Sequence, residues 1–450
     1  MQALPSASNC RMIYHMKISR GPEDFIPLDN AAIIYPTTVA RYNSHMFRIS
    51  MDLNLQVVPE RLLTALENLM ERFPYYSVSL HQGFFWYYLT PHHQPLSVYP
   101  DRLYPCAYLH RKRGANGYLF KVFYSEKRIA LEVFHALTDG TGGLVFLKSL
   151  IAEYLRLSGI EVGSDPQIFR PGDPIPPEES IDAFQRFYKP LKSVFSAESQ
   201  AYHYNERDEY TDNLQAISAR LRVIDVKERS ASLGVTITEY LVAQLLDTFQ
   251  RVQEQVKKPK DYQPVRISVP VNIRKVFTSN SMRNFTLFVV IGIDPRLGRY
   301  SFTEILQQVK FQLRGEVNAK SLSRQISRNV AGGRHVLIRY APNFLKLPLM
   351  KLLSDSYGDG IYTSVISNLG DLSLPSGMKE SVDRADFFLS PGKVNKIAFA
   401  VVGTNGYLSV NITSILAEQT LIEREFLTAL VQDGIPIEVA SNRHTEKLER

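Results

Sequence analysis

His135-Ala136-Leu137-Thr138-Asp139-Gly140 follows the alternating stretch Arg128–Phe134 (RIALEVF) and precedes Leu144 onward (LVFLKSLIAEYLRL), whose apolar residues recur with helical period as far as Gly159. The order predicts a strand, a short loop and a helix, with a histidine and an aspartate four positions apart on the turn. Loops at the carboxyl ends of strands are held by a rigid sheet yet stay accessible, so α/β proteins commonly place reacting groups there. Gly142 and Gly143 leave room for close approach.

Outward from this loop the pattern repeats. Phe47, Ile49, Met51, Leu53 and Leu55 alternate with Arg48, Ser50, Asp52 and Asn54, which predicts a half-buried strand. Pro59 opens a helix with Leu62, Leu63, Leu66, Leu69, Met70 and Phe73 on one stripe. Phe84–Leu89 and Tyr118–Tyr124 are aromatic-rich strand candidates. From Gly163 to Asp212 the texture turns proline-rich and polar, as a crossing between two halves would. Strands are then expected at Ala216–Val226, Val265–Arg274, Thr286–Ile293, Tyr362–Ser367, Lys396–Gly403 and Tyr407–Thr413. Asn405-Gly406 marks the last hairpin, and Thr236 with Glu239 has capping-box spacing ahead of a helix. The expected division is a first lobe over 1–165, a crossover over 166–212 and a second lobe over 213–450.

The chain has 450 residues, 44% of them hydrophobic and 22% charged, which is ordinary globular usage and excludes a disordered chain. A net charge of +7, from 52 basic and 45 acidic residues, is too small an excess to indicate a nucleic-acid-binding protein. Arg111-Lys112-Arg113 and Lys257-Lys258 read as solvated loops. Two cysteines, Cys10 and Cys106, are too few for a disulfide framework. The expected compartment is the cytoplasm, without a signal peptide or transmembrane segment. Val336–Leu353, apolar but interrupted by Pro342 and Pro348, reads as a buried, broken helix rather than an interfacial anchor.

A histidine that titrates near neutrality can take a proton from a hydroxyl or amine as that group attacks an electrophile. His135 is the candidate for such a role, set against a histidine that merely packs at a strand end. Asp139 is placed to orient the loop or pair with an arginine. No metal is expected, because no second ligand stands at the right spacing beside His135. Asp139–Gly143 lacks both the ending of a P-loop and the spacing of a dinucleotide fingerprint, and there is no Gly-Xaa-Ser-Xaa-Gly elbow.

Four features in order are more specific than any one of them. His-Xaa-Xaa-Xaa-Asp-Gly ends one strand, Val271-Asn272-Ile273-Arg274 another, Asn284-Phe285 opens a third, and Ser367-Asn368-Leu369-Gly370 follows a later one. This order resembles the CoA-dependent acyltransferase superfamily, which includes chloramphenicol acetyltransferase and condensation domains, and within it the bacterial alcohol acetyltransferase-like branch. The resemblance runs from Leu28–Ala32 (LDNAA) to the C-terminal helix.

It implies a mixed α/β fold of two chloramphenicol-acetyltransferase-like lobes with an active-site tunnel between them. It also implies transfer of an acyl group, acetyl above all, from acyl-CoA to a small hydroxyl or amine acceptor, with no bound cofactor. His135 would be the general base, Asp139 would hold the loop through Arg274, Gly140 would keep the tunnel open, and Ser367 and Asn368 would line it near the acyl oxygen. The resemblance also admits a donor carried by an acyl carrier protein, and a non-catalytic binding or scaffold protein on the same fold. Phe134 stands where condensation domains have their first histidine, and the Asp-Phe-Gly-Trp-Gly signature of plant acyltransferases is missing at Asp386-Phe387-Phe388.

Overall fold

The computed structural model describes residues 25–107, 117–191, 198–204, 209–334, 340–354 and 358–443. Cys10 and Arg111-Lys112-Arg113 lie outside the described residues. The strands of the first half are β1 (Ile26–Pro27), β2 (Met46–Leu53), β3 (Val78–Gln82), β4 (Tyr87–Pro91), β5 (Val98–Pro100), β6 (Phe120–Tyr124) and β7 (Arg128–Phe134). Those of the second are β8 (Tyr210–Arg222), β9 (Val265–Asn272), β10 (Thr286–Ile293), β11 (Ser364–Asp371), β12 (Val382–Leu389), β13 (Ile397–Thr404), β14 (Tyr407–Leu416) and β15 (Glu438–Ser441). The principal helices are α1 (Ile34–Thr38), α2 (Pro59–Met70), α3 (Gly140–Leu157), α4 (Ile237–Val256), α5 (Phe302–Glu316), α6 (Ala319–Arg334), α7 (Asn343–Leu353) and α8 (Leu421–Gln432).

Two large mixed sheets result, in the orders β12-β2-β7-β6-β5 and β10-β9-β11-β13-β14-β8-β15, with a small β1-β4-β3 sheet beside them. In the first, Phe47, Ile49 and Met51 face Val133, Leu131 and Ile129 across the β2–β7 ladder. Directly opposed residues share a face, so these six side chains make one apolar surface, and α3 packs on it. Gly143 allows the approach, because a Cβ there would stand 2.8 Å from the Phe47 ring. The opposite face of β2 is not wet as the alternation suggested. Arg48 is buried against Glu132 and Asp101, so an ion-pair network rather than water satisfies the polar positions.

The crossing of β12 into the first sheet was not foreseen. It pairs with β2 from Val382↔Leu53 to Leu389↔Phe47, although more than 300 residues of chain separate every pair of partners. β13 is buried along its whole length. Phe399 and Val401 contribute to the core of the second sheet, while Ala400 and Val402 join the core of the first.

Local expectations mostly hold, with boundaries shifted where tertiary contacts decide. Thr236 and Glu239 form the capping box of α4, and Asn405 (φ 50°) and Gly406 (φ 82°) make the β13–β14 turn. The strand expected at Ala216–Val226 ends at Arg222, and a helix starts at Val223. Phe84–Trp86 form the turn between β3 and β4 instead of a strand. The buried, broken helix expected over Val336–Leu353 is not found in its described part. α7 continues through Pro348 and turns Phe344, Leu345, Leu349 and Leu352 outward, because its inward positions are taken by Asn343 and Lys346.

Candidate active site

β7 ends at Phe134, whose N–H donates to Leu119 O (2.8 Å), and the next residue is tied on the other side, His135 N–H donating to His45 O (2.9 Å). The chain turns at once, Thr138 Oγ1 donates to Met282 O (2.6 Å), and α3 begins. Asp139 is the N-cap, its Oδ1 accepting from Gly142 N–H (3.1 Å). A Cβ on Gly142 would lie 2.7 Å from Met282 O, so this first helical turn fits against the second half of the chain only as glycine.

Asp139 is buried and accepts from five donors. Besides Gly142 these are Arg274 Nη1 (2.8 Å) and Nη2 (3.1 Å), Phe285 N–H (2.8 Å) and Thr286 Oγ1 (2.9 Å). Burial alone would raise its pKa. The Arg274 guanidinium and the two backbone N–H groups outweigh this and hold the carboxyl below its ordinary value. Arg274 is fixed in turn by Ser281 O (2.9 Å) and Arg283 O (2.5 Å). All the donors save Gly142 lie beyond residue 270, so the aspartate joins the loop to the β9–β10 hairpin.

The imidazole is held from a different direction. Asn284 Nδ2 donates to Asp29 Oδ2 (3.0 Å) and to His135 O (3.0 Å), which leaves its Oδ1 facing His135 Nδ1 at 3.0 Å. An amide oxygen only accepts, so Nδ1 carries the proton and Nε2 keeps a free lone pair. Asp29 is fully buried near Arg283, and it also accepts from Ala32 N–H (2.7 Å). Desolvation pushes its pKa up to about 6 against the pull of Arg283 and Asn284.

Aromatic rings close the site. Tyr35 of α1 stacks on His135 at 4.4 Å, and Phe47 meets it edge-on at 5.1 Å. Burial lowers the His135 pKa, with Asp139 and Asn284 opposing, so the imidazole is neutral at physiological pH. His45, half-buried beside Tyr35, is pushed down to about 3 by desolvation and by His135.

On the facing side, β9 pairs with β11 only at Ile267↔Ser364 and Ser268↔Val365. Beyond that the two strands part, and Pro270 falls in the separated stretch. Asn272 Nδ2 reaches Thr141 Oγ1 (3.0 Å) from one bank. From the other, Leu369 Cδ2 lies 3.0 Å from where a Gly140 Cβ would stand. Ser367 is half-buried on β11. Asn368 is already engaged, donating to Thr238 Oγ1 (3.1 Å) and accepting from Gly370 N–H (2.8 Å).

The structure thus brings His135, Asp139, Gly140 and Arg274 together and sets the Ser367-Asn368 strand across from Gly140. Sequence reasoning passed over Asp29, Asn284 and Tyr35 as site residues. Leu28–Ala32 and Asn284-Phe285 were noticed, but no spacing ties positions 255 residues apart. Among the described residues no group of three His, Cys, Asp or Glu could hold a metal ion.

No protein-family profile and no curated protein matches the chain. Solved structures do. Polyketide synthase associated protein 5 from Mycobacterium tuberculosis superposes with a TM-score of 0.58 at 15% identity, over 91% of this chain and 98% of that one. F. graminearum TRI101, solved with coenzyme A and T-2 mycotoxin, gives 0.59 at 11% identity over 92% and 99%. The epimerization domain from the third module of tyrocidine synthetase B gives 0.58 at 12% identity over 91% and 96%. With near-complete coverage of each partner, the chain has the two-lobed mixed α/β fold shared by CoA-dependent acyltransferases and condensation-type domains.

Proposed function

We propose that the protein transfers an acyl group, acetyl as the simplest case, from acyl-CoA to a small hydroxyl- or amine-bearing acceptor, with His135 as general base. The observation that carries the reading is the His135 tautomer. Asn284 fixes the proton on Nδ1, so Nε2 is a lone-pair base with lowered pKa at the loop between the two sheets. Nε2 accepts the acceptor's proton as its oxygen or nitrogen bonds to the thioester carbonyl carbon. The carbon–sulfur bond then breaks, and the imidazolium returns the proton to the leaving thiolate.

Asp139 and Arg274 are positioning residues that fix the loop without touching the acceptor. Gly140 keeps Leu369 from being pushed across the gap. Ser367 supplies the hydroxyl for the developing oxyanion, since the Asn368 amide is already committed. CoA is a co-substrate, and no bound cofactor takes part. A donor on an acyl carrier protein would use the same site.

The test measures thiol release from a panel of acyl-CoAs with mixed alcohol and amine acceptors, alongside a CoA-binding titration. His135→Ala is expected to lose about two to four powers of ten in turnover while CoA binding persists. Undiminished turnover would overturn the mechanism, and abolished CoA binding would make His135 structural.

A further inference from the structure

α7 is an amphipathic helix turned inside out. Two of its three polar residues face the protein, Lys351 being exposed: Asn343 N–H and Nδ2 donate to Phe84 O and Gly83 O (both 2.8 Å), Lys346 Nζ donates to Phe85 O, and the same ammonium lies over the Trp86 ring at 3.2 Å. Its apolar residues face out, with Phe344 67%, Leu345 62%, Leu349 57% and Leu352 63% exposed. Phe84, 64% exposed at the β3–β4 turn, extends the surface through its ring contact with Phe344 (6.4 Å). Polar groups spent inward on backbone carbonyls hold Phe and Leu side chains in water, an arrangement that raises free energy unless something covers them.

The charge of the same region identifies the cover. From Ala319 to Ser354 the sequence contains no aspartate or glutamate. Its described residues include the exposed Lys320, Arg324, Arg328, Arg334 and Lys351, five basic residues in a chain whose total net charge is +7, while Lys346 is turned inward. α6 and α7 come to one place: the end of α6 approaches Asn30, whose amide nitrogen would lie 3.6 Å from a Cβ on Gly333, and α7 packs on α1 a few residues later.

We infer that α7 and the β3–β4 turn form a docking surface for an anionic lipid bilayer, with the apolar side chains entering the interface and the flanking basic residues meeting the headgroups. Outward Leu and Phe beside basic residues is the pattern of a helix lying in the membrane plane. A nucleic-acid surface would need the charge but not the protruding apolar side chains. α7 packs on α1, and Tyr35 of α1 stacks on His135, so docking sets the bilayer one helix away from the candidate base. The inference stands independently of acyl transfer.

The full chain is sedimented with vesicles of phosphatidylcholine alone and of equimolar phosphatidylcholine and phosphatidylglycerol. Binding to the anionic vesicles is expected to exceed binding to the neutral ones by about tenfold or more, and to weaken with salt. Phe344→Ser/Leu349→Ser is expected to lower it by about tenfold or more, and Arg324→Glu/Arg328→Glu to remove the preference for anionic lipid. All four side chains are exposed and outside the His135 network, so circular dichroism and thiol release with a water-soluble acceptor should match the parent. Absence of vesicle binding, or binding that neither variant changes, overturns the inference. A dimer in light scattering that the Phe344/Leu349 variant abolishes, without vesicle binding, would assign the surface to a second copy and likewise overturn it.

Discussion

At the scale of single residues, the site turns on which imidazole nitrogen carries the proton. Asn284 decides this because its own amide hydrogens are consumed by Asp29 and by the His135 carbonyl. With the His135 pKa lowered, the base stays neutral below the usual histidine range, so turnover should fall only as pH drops through that lowered value. Asn284→Asp puts a carboxylate against Nδ1–H, which favours the imidazolium. The acidic limb of the kcat–pH profile should therefore move to higher pH, and the 15N shifts of the His135 ring should report the change without any turnover. Asn284→Ala frees the tautomer and should lower kcat by about tenfold or more with little change in KM. An unchanged limb in the aspartate variant would remove Asn284 from its positioning role.

At the scale of elements, Asp139 does two jobs that substitution separates. It caps α3, and it pairs with Arg274 across the boundary between the sheets. Asparagine caps a helix about as well as aspartate, so Asp139→Asn keeps the first job and loses the charge of the second. Both partners are largely buried, and breaking such a pair typically costs about 3–5 kcal/mol. Asp139→Asn and Arg274→Ala should each lower thermal stability by an amount of that order, and His135→Ala by distinctly less, as read by calorimetry. The linkage follows the same sign. The folded-state pKa of Asp139 lies below its unfolded value of about 3.9, so its contribution is complete above that value and is lost as pH falls through the folded one. Equal, negligible shifts in all three variants would dismiss the pair.

Elements also show how far local patterning carried. The β7-loop-α3 order, the α4 capping box and the Asn405-Gly406 turn were legible because each is decided within a few residues by period, cap or backbone φ. The strand expected to run to Val226 stops at Arg222, and Phe84–Trp86 turn rather than extend. A short apolar run has no preference strong enough to resist its tertiary surroundings.

At the scale of the whole molecule, the two sheets are laced together. β12 leaves the second half to pair with β2, and β13 contributes side chains to both cores. Glu179 of the intervening stretch is gripped by Arg72, just past the end of α2 (two contacts of 2.7 Å), while its carbonyl accepts from Met282 N–H (2.8 Å). We propose 166–212 as the crossover between lobes at 1–165 and 213–450, each with its own sheet but with one strand exchanged. A fragment ending at residue 204 then lacks β12 and leaves the β2 edge open, so it should be aggregated or without fixed near-ultraviolet circular dichroism. A soluble, cooperatively folded fragment would show that β12 is dispensable. No helix among the described residues is long and apolar enough to cross a membrane.

The sequence by itself determined the strand-loop-helix around His135 and the mixed α/β class, because hydrophobic period and capping act over a few residues, and it pointed to the pairing of Asp139 with Arg274 only through the family resemblance that its ordered motifs carry. Tertiary structure alone decided that Asn284 and Asp29 hold the imidazole, that β12 joins the first sheet, and that α7 faces its leucines outward. Each depends on which groups meet across 149 to more than 300 residues of chain, or on a backbone carbonyl being the nearest acceptor. Hydrogen bonds and burial act through space, and those distances exist only once the chain has folded.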